Sequence, residues 1–168
     1  MAGGETLRRV RAADWRALRR CRLRALSLDA ASFGTSLDEA AARPHGHWRD
    51  LARSHSEGPD RAILLVVDAG VAVGMIRAER ETPRDLFGIY SLWVAPEARR
   101  RGLAAHLLAE AERWAVSVGA RRAELFVAAD ATPARALYER FGYRPNGRTD
   151  DDRADGVVEI GMGRALAG

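Results

Sequence analysis

Arg99-Arg100-Arg101-Gly102 sets three guanidinium groups beside a glycine, directly before an apolar helical pattern that starts at Leu103. A turn feeding a helix N-terminus gathers main-chain N–H groups that lack intrahelical acceptors, at the positive end of the helix dipole. Phosphate oxygens bind at such sites. Arginine adds charge that forks onto phosphate, and a glycine lets a ligand approach the backbone without Cβ interference. The pattern predicts a pyrophosphate cradle. Other reactive side chains are sparse. Cys21 is the single cysteine, sits between Arg20 and Arg22, and has no suggested histidine partner, so it reads as a packing thiol. His45, His47 and His55 fall in or after a Pro-containing segment without a carboxylate or cysteine at ligand spacing. They are expected to be polar surface residues, with no metal.

The elements around the loop follow from periodicity and breakers. Leu86 to Val94 reads as an apolar strand that stops at Ala95-Pro96. Leu103, Leu107, Ala111, Trp114 and Val118 recur at helical spacing, and Leu108 and Ala115 widen the stripe. Glu110, Glu112, Arg113 and Ser117 fall outside it, and Gly119 is the expected stop. Ala123 to Val127 reads as the next strand, and Thr132-Pro133 as a cap-plus-proline start for a shorter helix ending at Gly142. Tyr143 to Arg148 and Val157 to Arg164 would be closing strands around the acidic loop Asp150 to Asp155. Upstream, Leu7 to Arg11 is a strand candidate. A helix is expected from Asp14 to Leu28, burying Leu18, Cys21, Leu23, Leu26 and Leu28. Ser36 caps a second helix that Pro44 interrupts before a further turn around Trp48 to Ser54. Ile63 to Val67 and Val71 to Glu81 read as hairpin strands joined at Asp68-Ala69-Gly70.

Two segments together resemble the GCN5-related N-acetyltransferase (GNAT) superfamily. Arg99-Arg100-Arg101-Gly102-Leu103-Ala104 is similar to its Gln/Arg-x-x-Gly-x-Gly/Ala signature. Ala134-Arg135-Ala136-Leu137-Tyr138, followed by Gly142-Tyr143, is similar to its Ala-x-x-Leu-Tyr-x-x-x-Gly-Phe segment. The resemblance is good from Leu86 to Gly147 and is one of layout from Thr6 to Asp85, the half expected to choose the substrate. It implies a mixed α/β fold: a central, mostly antiparallel twisted sheet of about 6–7 strands, splayed between two of them and flanked by about four helices. A single domain over residues 1–168 is expected.

The same resemblance implies acetyl transfer from acetyl-CoA to a primary amine by direct attack in a ternary complex. Pyrophosphate would be held at Arg99, Arg100, Arg101, Gly102, Leu103, Ala104 and Ala105. The pantetheine arm would lie along Leu92, Trp93 and Val94. Tyr138 matches the tyrosine whose hydroxyl protonates the leaving thiolate; from spacing alone it reads equally as a core aromatic beside Leu137 and Phe141. The chain departs from the pattern at Ala131, where many members carry an asparagine bonded to the cofactor arm. It departs again at Phe126, where the ribosomal-protein acetyltransferases carry a glutamate base. Base candidates are Glu79, Glu81, Tyr90, Ser91 or a water chain. His106 is expected to face solvent. A non-catalytic acyl-CoA-binding module is the alternative reading.

Composition limits the partners. The chain of 168 residues has net charge +4, and all its basic residues other than histidine are arginines. They are interrupted by acids along the chain, which argues against a nucleic-acid stripe and for a small anionic cosubstrate. Four aspartates between Asp150 and Asp155 are a candidate site for a cationic amine, a small molecule or a peptide N-terminus. Phe33, Trp48 and Trp93 are candidate apolar walls. The N-terminus from Met1 to Glu5 lacks a signal-peptide pattern, and no run is long enough for a membrane span. A cytoplasmic protein with no membrane partner is expected, with a homodimer left open.

Overall fold

A computed structural model describes residues 4–153 and 155–166. Met1 to Gly3, where the N-terminal pattern begins, and Ala154 of the acidic loop lie outside the described residues. In chain order the elements are β1 (Thr6–Arg9), α1 (Trp15–Leu28), α2 (Leu37–Ala42), α3 (His45–Ser56), β2 (Arg61–Asp68), β3 (Val71–Arg80) and β4 (Leu86–Val94). They continue with α4 (Leu103–Ser117), β5 (Arg122–Ala128), α5 (Thr132–Arg140), β6 (Arg144–Asp150) and β7 (Glu159–Ala165). The seven strands form one sheet in the order β1-β2-β3-β4-β5-β7-β6. Only β4 and β5 run parallel, because α4 carries the chain over the sheet between them.

Helices cover both faces of the central strands. Ile63 and Met75 share a cavity with Leu18 of α1 and Trp48 of α3. Gly74, one residue along from Met75, lies against Leu107 of α4. Alternation along a strand puts these two contacts on opposite faces. Coverage on both sides is why Ile63 to Val66 are all buried, as a continuous apolar run requires.

Most helix signals act as expected. Ser36 and Glu39 form a reciprocal capping box at α2, with the Glu39 N–H donating to Ser36 Oγ at 3.2 Å and the Ser36 N–H to Glu39 Oε2 at 2.9 Å. Leu103, Leu107, Leu108, Ala111 and Ala115 are buried along α4, which ends before Gly119 at φ 96°. Cys21 is buried, and desolvation pushes its thiol up to about 12, as a packing role requires.

Four local expectations are corrected. Pro44 ends α2 but also caps α3, so the expected turn near Trp48 is a 12-residue helix and five helices flank the sheet. The cap of α5 is Ala131, not Thr132, whose hydroxyl turns back to the Asp130 carbonyl at 3.4 Å. Leu28 ends α1 with 51% of its surface exposed. Glu112 is not on the solvent face of α4. Its side chain accepts the Tyr143 hydroxyl at 2.8 Å inside the domain, and desolvation raises its carboxyl above the usual range.

At Gly74 the sheet packs tightly against α4. An added Cβ would sit 3.2 Å from Leu107 Cδ1 and 3.3 Å from the Trp93 carbonyl. Gly74→Val is therefore expected to lower unfolding free energy by about 1–3 kcal/mol through overpacking. Chemical denaturation should read this as a lower midpoint with an unchanged m-value.

Candidate functional site

The site begins where two parallel strands part. β4 and β5 pair from Leu86↔Arg122 to Ile89↔Leu125, and no further. On its other side, β4 pairs with β3 at Arg77↔Tyr90 and Met75↔Trp93, so Ser91 and Leu92 together oppose Ile76 alone. Ser91 takes φ 56°, a left-handed conformation that side chains avoid. An extra residue of this kind bends its strand and increases the twist, which turns β4 away from β5.

Two cavities fill the gap and share Ser32, Leu92, Ala131, Ala134 and Tyr138. One, of about 390 Å³, runs along Leu92, Trp93 and Val94 to Arg99 and Ala104 at the start of α4. Gly102 caps that helix at φ 77°. The His106 N–H donates to the Gly102 carbonyl, whereas the N–H groups of Gly102 to Ala105 meet no acceptor among the described residues. Leu103 itself is buried in the core, so only its main chain is available. Ala105 is half-buried and His106 exposed, as expected for the latter.

The three arginines divide their roles. Arg99 donates to the Val94 carbonyl at 2.9 Å and to Asp29 Oδ2 at 2.6 Å, and the same carboxylate oxygen accepts the Trp93 indole N–H at 2.7 Å. Arg101 pairs with Glu5 and with Asp68, the latter at 3.4 Å. Arg100, exposed and at φ 59°, makes no ion pair among the described residues. Main-chain donors and Arg100 are thus left without a partner among the described residues, while Arg99 and Arg101 chiefly fasten the loop.

The second cavity, of about 330 Å³, is lined by Arg22, Phe33, Arg77, Tyr90, Phe126, Asp150 and Glu159, among others. Tyr138 stands at its junction with the first. Only 8% of its surface is exposed, its hydroxyl has no hydrogen-bond partner among the described residues, and burial pushes it up to about 12. Its ring is held by Tyr143, whose centroid lies 5.9 Å away in an edge-on contact and whose N–H donates to the Tyr138 carbonyl at 3.0 Å. Ala131 lines both cavities with a methyl group, so no side-chain amide is available there.

The acidic loop does not act as a unit. Arg153 turns inward, with 6% of its side chain exposed, and pairs with Asp155 and Glu159 at 2.6 Å each. It also donates to the Phe33 carbonyl at 2.7 Å, pinning the loop to the segment after α1. Asp150 alone of the four aspartates lines the cavity. Phe33 is a wall of that cavity, Trp93 lines the first, and Trp48 belongs to a third cavity. Sequence reasoning missed the Ser91 bulge and the placing of Arg22, Arg77 and Glu159. Arg77 did carry a signal, as a charge facing the same way as Met75 in a buried strand.

The base candidates are mostly occupied. Glu81 accepts the Tyr90 hydroxyl at 2.5 Å, and burial followed by that bond raises the phenol. Ser91 accepts from Arg22 at 3.2 Å. Glu79 is bonded to His55 at 2.8 Å. His55 is 1% exposed, with its Nδ1 2.8 Å from the Leu51 carbonyl, which corrects its expected surface position: α3 folds it onto β3. No group of three or more His, Cys, Asp or Glu side chains that could hold a metal occurs among the described residues, nor any helix long and apolar enough to cross a membrane.

Comparison with known proteins adds a second line. The family model for acetyltransferases of the GNAT family matches residues 22–143. Mycothiol acetyltransferase of Pseudarthrobacter chlorophenolicus is 32% identical over 128 residues, which cover 73% of this chain. The chain spans only 36% of that protein's length. A GNAT-family acetyltransferase from Streptococcus pneumoniae superposes with a TM-score of 0.84 at 18% identity, covering 97% of this chain and 99% of that one. Spermidine N-acetyltransferase from Vibrio cholerae, in complex with CoA and spermine, superposes with a TM-score of 0.75 at 18% identity, covering 97% and 96%. Such structural likenesses establish the fold.

The His55–Glu79 contact has a pH signature. The hydrogen bond from His55 leads in holding the Glu79 carboxyl below its ordinary value of 4.5. A depressed folded-state carboxyl contributes stability that is full above the unfolded value and lost as pH falls through the folded one. Glu79→Gln should therefore lower stability at pH 7 and flatten its decline below pH about 4.5, read by denaturation at stepped pH.

Proposed function

The chain belongs to the acetyltransferase (GNAT) family, and on that premise we propose that it transfers an acetyl group from acetyl-CoA to a primary amine by direct attack. The observation that carries this reading is one continuous passage. It runs from the unpaired N–H groups at α4, along the parted edge of β4, to a cavity that Asp150 and Glu159 help to line, with Tyr138 at the junction.

Each part has a role in that reaction. The N–H groups of Gly102 to Ala105, with Arg100, grip the pyrophosphate of the cosubstrate. The edge of β4 from Leu92 to Val94 aligns the arm that carries the thioester, and the Trp93–Asp29–Arg99 cluster keeps that edge in place. Main-chain donors beyond Ile89, no longer used by β5, face the position where the carbonyl oxygen gains charge. Asp150 and Glu159 attract the amine into the second cavity. Asp150 has no guanidinium partner among the described residues, so it is the carboxylate we assign to receive the amine proton, directly or through water.

Tyr138 then donates its proton to the departing thiolate. The surroundings that disfavour a phenolate also disfavour an uncompensated thiolate, so burial raises both proton affinities and keeps the phenol protonated until the thiolate forms. Direct attack needs no enzyme nucleophile, which agrees with a buried Cys21. Methyl groups at Ala131 and Ala134 leave room for the arm beside Tyr138.

Thiol release from acetyl-CoA over a panel of primary amines tests the reading. Tyr138→Phe should lower kcat about 100-fold or more, the range of a lost general acid, while acetyl-CoA binding by calorimetry stays within about twofold of the wild type. Undiminished turnover would remove Tyr138 from the chemistry, and absent acetyl-CoA binding would remove the whole proposal.

A further inference from the structure

A third cavity, of about 230 Å³, adjoins the second and shares Arg22, Thr35, Arg77 and Ser91 with it. Its floor is apolar and buried, formed by Leu18, Trp48, Ile63 and Met75. Its charged rim is cationic: Arg22, Arg43 and Arg77 converge there, and no carboxylate lines it.

Arg22 and Arg43 have no carboxylate partner among the described residues, and Arg77 only shares one. Arg22 lies over the Phe33 ring, with 4.4 Å from its guanidinium carbon to the centroid, and donates only to Ser91 among the described residues. The Arg43 side chain has one polar contact there, with His47 Nε2 at 3.1 Å. Arg77 stands 3.7 Å from Glu79, a carboxylate already bonded to His55, and rests on the Tyr90 ring at 4.7 Å. Burial first, and then the charges of Arg77 and Arg43, pull the Arg22 guanidinium down to about 10.

The unpaired buried donors lean the same way. Arg77 Nε and Trp48 Nε1 are buried and have no acceptor among the described residues. An indole N–H and a guanidinium N–H can only donate, so each remains unsatisfied until an acceptor arrives. Converging cations, stray buried donors and the absence of lining acids all call for one ligand chemistry, a compact group rich in anionic oxygen.

We propose that this cavity binds an acid group of the acceptor, so that the substrate is an amine that also carries a carboxylate or a phosphate. The inference rests on the acetyl-transfer reading. The ammonium lies toward Asp150 and Glu159, and the acid lies among Arg22, Arg43 and Arg77. Opposite charges at the two ends of one passage fix the direction in which the acceptor enters and present its nitrogen to the thioester.

Matched pairs test this: amino acids of graded length against their amides, and O-phosphoethanolamine against ethanolamine, each in thiol release from acetyl-CoA. The acid-bearing member of at least one pair should show kcat/KM about tenfold or more above its neutral partner, the size of one charge-assisted contact. The pair that responds distinguishes carboxylate from phosphate. Arg43→Gln, at an exposed position, should raise KM for that acid about tenfold while leaving kcat and the neutral partner within about twofold. Arg77→Gln, deeper in the cavity, should act in the same direction.

Calorimetry with the acids alone separates the inference from the transfer reading. Saturable binding that weakens in Arg43→Gln supports the anion site even if no thiol is released and the enzyme reading fails. Equal turnover of acids and neutral partners, with Arg43→Gln silent, overturns the anion site and leaves acetyl transfer standing. Failure of every acid in the panel to bind also overturns it.

Discussion

β4 cannot remain in register with both of its neighbours. It carries one residue more than β3 across the Ser91 bulge, and the turn this imposes ends its pairing with β5 after Ile89. A left-handed serine costs of order 1–3 kcal/mol, so the surroundings must hold it there. Arg22 bonds to its hydroxyl, and the Trp93–Asp29–Arg99 cluster fixes the strand end just beyond. The opened gap lets a passage reach from the start of α4 to Tyr138 without breaching the core. A sheet fully paired through Val94 and Ala128 would close it.

The arginine surplus acquires a structural reading once the contacts are known. Arg153 ties the acidic loop to the Phe33 segment, and Arg101 ties the phosphate loop to Glu5 and Asp68. Arg80 bonds to Asp60 and to the Val118 carbonyl, joining the β2–β3 strands to the end of α4. A guanidinium suits this work because its fork reaches several acceptors at once and stays charged. Arginines that clip elements together are distinct from those left facing a cavity, and composition alone does not separate the two classes.

Much of the site was legible because its signals are local. The turn before the Leu103 helix reads as a row of free N–H groups, and the N–H groups of Gly102 to Ala105 do meet no acceptor among the described residues; the left-handed cap at Gly102 came only with the structure. Tyr138, singled out by the Leu137-Tyr138 segment, lines both cavities where they join. The misplaced residues are those whose partners are remote in sequence. Glu112 meets Tyr143, and His55 meets Glu79, across 31 and 24 residues respectively. A polar residue on a helix looks solvated until another element closes over it.

The sequence by itself determined most of the elements, the glycine turn ahead of α4 and the family, because helix periodicity, caps and a glycine at a turn act over a few residues. Tertiary structure decided which charges meet. Asp150, Glu159, Arg22 and Arg77 come from four separate elements, and only the sheet order and the bulged path of β4 bring them to one cavity. Electrostatic interaction depends on distance and desolvation. Neither is encoded in spacing along the chain.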